Sequence, residues 1–118
     1  WGGWVLSHVL SSELADDFVA GSVPHPSMQL EGALFQRDVN ALFDTVKKPM
    51  ILLNAKGDST DYYPGGQWFE TLKSHHPSSE SHNYPEVNHG FVPRGDHSQP
   101  AVREAVDDVL ARTFAFLA

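Results

Sequence analysis

The chain has 118 residues, 41% hydrophobic and 19% charged, with no low-complexity run, which fits one globular domain or part of one and argues against a disordered chain. Fifteen acids against eight Lys and Arg leave a formal net charge of −7, so the basic stripe that a nucleic-acid partner needs is missing. No apolar run approaches the ~20 residues of a bilayer span, neither end resembles a signal segment, and the absence of cysteine excludes disulfides and thiolate metal sites within the chain.

Apolar residues Trp4, Val5, Val9, Leu10 and Leu14 recur at helical spacing and predict a helix from Gly3 to Leu14. The run Phe18 to Val23, closed by Pro24 and Pro26, predicts a buried strand that ends at His25-Pro26-Ser27. Leu34, Phe35, Val39, Leu42, Phe43 and Val46 form a stripe that predicts one amphipathic helix over Leu34 to Val46, stopped by Lys47-Lys48-Pro49. Met50 to Leu53 is wholly apolar, the composition of a parallel strand covered on both faces.

Asn54 to Gly66, rich in Gly, Asp and Pro, reads as a loop, and Gln67 to His75 as a helix with Trp68, Phe69 and Leu72 inward. Ser81 to Tyr84 is the candidate for a third strand, followed by a loop from Pro85 to Ser98. Pro100 to Leu117 carries Val102, Ala105, Val106, Val109, Leu110, Phe114 and Leu117 on one stripe, with a proline suited to the helix start. Trp4, Phe43, Trp68, Phe114 and Phe116 are expected in the core. The pairs Asp16-Asp17 and Asp107-Asp108 are expected on a solvated surface.

Helices alternating with three strands predict an α/β fold with a parallel β-sheet flanked by helices. Three strands make a thin sheet, and a chain that opens and closes on helices reads as the C-terminal part of a larger doubly wound domain whose N-terminal strands are missing. Residues 1–118 form one partial domain in this reading.

Open α/β sheets bind ligands at the carboxyl ends of their strands. Three polar residues follow the predicted strands: His25, then Asp58 in Lys56-Gly57-Asp58-Ser59, then His89 in Asn88-His89-Gly90-Phe91. An acid followed in chain order by a histidine is how an α/β hydrolase completes a triad after an earlier nucleophile. Imidazole titrates near neutrality and can ferry the nucleophile's proton, while the carboxylate fixes its tautomer. Asp61 is a rival for the acid, and both aspartates also suit turn formation. Seven histidines invite a metal reading, yet none of His75, His76, His82, His89 and His97 forms the i, i+4 pair of a zinc-protease helix, so no metal site is expected.

Taken together, four segments resemble the dienelactone hydrolase family of the α/β-hydrolase superfamily. Trp1-Gly2-Gly3 is similar to the end of its nucleophile elbow, which often reads Gly, aromatic, Cys, Trp, Gly, Gly. His25-Pro26-Ser27 is similar to its post-strand segment, and Pro49 to Gly66, with Gly57-Asp58 and Pro64-Gly65-Gly66, to its acid loop. His89-Gly90-Phe91 with Arg94-Gly95-Asp96 resembles its catalytic-histidine loop. Each match alone is weak, but the four in order cover nearly the whole chain.

The resemblance implies an α/β-hydrolase fold and a Cys-Asp-His triad, with Asp58 and His89 matching its last two members and the cysteine lying before Trp1. The backbone N–H of Trp1 would help form the oxyanion hole. Arg94 matches the neighbourhood of an arginine that holds the substrate carboxylate in bacterial members, a surface ion pair being the alternative. His25 and Tyr62, with Tyr63 beside it, would line the substrate site. The implied activity is hydrolysis of a small-molecule carboxylic ester or lactone in the cytoplasm, without cofactor, membrane or nucleic acid. The alternative is a noncatalytic α/β interaction or binding module, or an inactive truncated product. The oligomeric state is not legible in the sequence.

Overall fold

The computed structural model describes residues 1–118. Its helices are α1 (Gly2–Ser11), α2 (Leu30–Phe35), α3 (Val39–Thr45), α4 (Gln67–His75), α5 (Phe91–Arg94) and α6 (Pro100–Leu117). Strands β1 (Gly21–Pro24), β2 (Met50–Lys56) and β3 (Glu80–Asn88) form one parallel sheet in the order β1-β2-β3. The protein is thus an α/β domain with helices packed against a three-stranded parallel sheet. No helix is long and apolar enough to cross a membrane.

The central strand shows why its sequence is continuously apolar. Met50 and Leu52 enter one core with Leu10, Val23, Met28, Phe43, Phe69 and Leu72, from the side where α1, α3 and α4 pack. Ile51, Leu53 and Ala55 alternate into a second core with Val87, Phe91, Ala105, Val106 and Val109, under α5 and α6. Successive side chains of a strand point to opposite faces, so covering both faces demands apolar residues at every position.

Several boundaries differ from the periodicity reading. The first helix stops at Ser11, and Glu13–Asp17 forms a 3₁₀ turn whose start is capped by the Ser12 hydroxyl accepting from Leu14 N–H. The first strand begins at Gly21, leaving Phe18 and Val19 exposed. The single helix expected over Leu34 to Val46 is two helices. Gln36 takes a left-handed conformation (φ 51°) that ends α2, and Asp38 caps α3 by accepting from Asn40 N–H. Leu34 and Phe35 therefore fall outside the core and are exposed.

The second strand runs on to Lys56, and the third runs from Glu80 to Asn88 rather than stopping at Tyr84. Its pairing with β2 is broken once: Ala55 faces Tyr84, but Lys56 faces Asn88. Pro85 has no N–H to give to a ladder, which accounts for the break at that point. The expected loop after it holds the short helix α5. Helices α4 and α6 have the predicted ends, but α6 buries only Ala105, Val106 and Val109, leaving Leu110, Phe114 and Leu117 exposed. Phe114, expected in the core, is 70% exposed.

Candidate active site

The loop after β2 presents the acid. Gly57 has φ 85°, a left-handed conformation open to glycine at no steric cost, and it turns the chain so that Asp58 N–H donates to the Ala55 carbonyl at 3.1 Å. The Asp58 carboxylate closes the same turn, its Oδ2 accepting from Ala55 N–H at 2.8 Å. One carboxylate oxygen is thereby fixed, and Oδ1 is left to face the end of β3.

There it meets His89. The Nδ1–Oδ1 distance is 2.7 Å, and because a carboxylate only accepts, Nδ1 carries the proton and Nε2 is the free basic nitrogen. The Asp58 side chain is 5% exposed against 40% for His89, an enclosed acid beneath an accessible base. Asp61 turns elsewhere: its N–H donates to Ser59 Oγ, which also lies 3.4 Å from its carboxylate. The structure brings Asp58, and not Asp61, against His89.

His89 overlooks a cleft of about 320 Å³ between the first turn of α1 and the end of β1, lined by Trp1, Gly2, Gly3, His25, Ser27 and Arg94 among others. No carboxylate lines it. Arg94 stands between this cleft and a second hollow lined by Asn88, Gly90, Phe91 and Asp96. Its guanidinium has no carboxylate within 4.0 Å, so the surface ion pair weighed as an alternative role is not formed. It folds over Gly90, where a Cβ would stand 2.5 Å from Nη2, and glycine (φ 88°) is what the position admits.

His25 also reaches the cleft. Its ring lies 5.0 Å from that of His89 and edge-on to Phe91 at 5.8 Å. Burial, and then the neighbouring His89, hold its pKa below the ordinary 6.5.

One expected site residue takes another position. Tyr62 is wholly buried, its hydroxyl accepting from Gln29 N–H at 3.0 Å and donating to Gln29 Oε1, so it packs the first core and touches no cleft. That enclosure pushes its pKa well up. Tyr63 packs beside it at the edge of the same core. Trp1 lines the cleft as expected, and its terminal nitrogen donates to Ser27 Oγ at 2.7 Å. The first intrahelical bond of α1 runs from Val5 N–H to the Trp1 carbonyl, so the amides of Gly2, Gly3 and Trp4 have no acceptor within the helix.

Four other histidines are partnered separately: His75 with Asp44, His76 with the Val46 carbonyl, His82 with Glu80 and His97 with the Val92 carbonyl. No group of three or more His, Asp and Glu converges on one point.

A cluster not foreseen in the sequence lies behind α1. Glu31 on α2 is buried and accepts from Trp4 Nε1 at 2.6 Å and Arg37 Nε at 2.6 Å, with His8 Nε2 at 2.8 Å. Burial acts against its charge, but the bonds from Arg37, His8 and Trp4 prevail and hold its pKa down at about 2. The only sequence signal was the i, i+4 spacing of Trp4 and His8; the acid stands 23 residues beyond His8.

No family model matches the chain, and no curated protein or solved structure matches it.

Proposed function

We propose that this domain supplies the acid and base of a dienelactone hydrolase-like enzyme of the α/β-hydrolase fold, acting on carboxylic esters or lactones. The observation that carries this reading is the 2.7 Å contact between Asp58 and His89, with the acid enclosed and the base exposed beside a cleft at the strand ends. Asp58 orients the His89 ring and stabilises its imidazolium; His89 Nε2 takes a proton from the nucleophile and returns it to the leaving group. The nucleophile is a thiol from outside these 118 residues, since the chain has no cysteine and His89 bonds to no hydroxyl within it.

The free amides of the first α1 turn suit an oxyanion, and the unpaired Arg94 suits an acidic group on the substrate. The enzyme is placed in the cytoplasm on the family resemblance alone. The test is the residue encoded immediately before Trp1 and the activity of the longer product on an aryl ester. A Cys or Ser preceded by Gly-X, with turnover abolished by His89→Ala, supports the reading. Any other residue there, with no turnover, would leave a noncatalytic binding module.

A further inference from the structure

His25 is costly to the fold in two ways. It is a non-glycine residue at φ 40°, a left-handed conformation that side chains rarely adopt. Its Nε2 is buried without any hydrogen-bond partner, whereas buried polar atoms are nearly always paired. A histidine present only to stabilise the fold needs neither an uncommon backbone conformation nor an unpartnered buried nitrogen. Its backbone does extend the sheet, the N–H donating to the Leu53 carbonyl at 2.7 Å, but any residue except proline would make that bond.

What the ring does contact is specific. It stands 5.0 Å from His89 at a 59° tilt and braces on Phe91 edge-on at 73°. His89 itself is tethered at one point, Nδ1 to Asp58, and a ring held by one hydrogen bond can still swing about it. A flat neighbour fixed by the backbone removes that freedom. The neighbour must also be uncharged, or it would oppose the charge that His89 gains with a proton, and the burial of His25 favours its neutral form.

We propose that His25 is a positioning residue, whose imidazole, set in the cleft by a left-handed backbone, fixes the ring plane in which His89 meets Asp58. The purpose of that positioning rests on the proton-carrying role proposed for His89. The test does not: it reads ring order in the 118-residue chain without turnover, so it can fail while hydrolysis stands, and hydrolysis can fail while it succeeds.

Long-range proton–nitrogen spectra of the imidazoles supply the measurement. In the parent chain His89 should show the Nδ1-protonated tautomer with a slowly exchanging proton. His25→Gly accepts the left-handed backbone without strain and should keep a cooperative thermal transition. Its His89 Nδ1 proton should nevertheless exchange roughly tenfold or more faster, the equivalent of a lost constraint of about 1.4 kcal/mol. His25→Phe, which restores a flat uncharged ring, should return slow exchange. Unchanged exchange in folded His25→Gly, or fast exchange persisting in folded His25→Phe, overturns the proposal. So does failure of both His25→Gly and His25→Asn to fold, since that would make the residue purely structural.

Discussion

Asp58 and Asp61 lie three residues apart on one loop and differ in everything that matters for proton chemistry. Asp58 has one oxygen fixed by Ala55 N–H and the other on His89 Nδ1, while Asp61 gives its N–H to the hydroxyl of Ser59, the cap of its own turn. In an enzyme containing the nucleophile, Asp58→Asn should preserve the fold and lower turnover by orders of magnitude, because an amide in that place favours the wrong imidazole tautomer. Asp61→Asn should change turnover little. Steady-state kinetics with an aryl ester compare the two, and the reverse ranking would remove Asp58 from the acid's role. The nearness of Asp58 and His89 was legible because both follow strands of a parallel sheet, which brings them to one edge of it. The choice between the aspartates was not, since it depends on Gly57 turning the chain back onto Ala55. Tyr62 was misplaced because its neighbourhood to the acid in sequence says nothing about side-chain direction, and a single 3₁₀ turn (Thr60–Tyr62) sends it inward.

The α1 and α2 helices are joined through Glu31, and this junction behaves as a small acid-sensitive latch. Its carboxylate titrates at about 2 in the folded protein against an ordinary 4.5. A depressed folded value means that the stabilisation is complete above the unfolded value and is lost as pH falls from about 4.5 through 2. Glu31→Gln should therefore flatten that part of the acid-unfolding curve, measured by urea midpoints between pH 5 and 2. At neutral pH Glu31→Ala should cost about 2–3 kcal/mol, the scale for losing hydrogen bonds to a buried charged group. Periodicity placed seven elements where the structure has nine helices and strands: it left α5 in a loop and fused α2 to α3, because Leu34 and Phe35 continue the apolar stripe of α3 while Gln36 breaks the backbone between them. It also placed Phe114 inside, since an 18-residue helix against a three-stranded sheet has more apolar length than the sheet can cover.

At the scale of the whole molecule, β1 is a four-residue strand paired only with β2, and its other edge is open. Val19 and Leu117 line one shallow hollow near it, and Phe114 is exposed on α6. Unpaired strand edges and exposed apolar groups promote association. The purified chain should therefore sediment as concentration-dependent oligomers, and Phe114→Lys should shift it toward monomer; identical profiles would show that this face is inert. The chain alone should not hydrolyse aryl esters above background, because it contains no thiol and no hydroxyl bonded to His89. Turnover that disappears in His89→Ala would reveal another nucleophile. The position of β2 has one more consequence, and it is written in time. This strand alone has a neighbour on each side and a core on each face, so no fluctuation of a single helix or edge can wet its backbone. Deuterium should reach the amides of Ile51, Leu52 and Leu53 last of all, at a rate set by global opening, while those of β1 and α5 fill early. The protein thus contains its own clock, with β2 as the slowest hand.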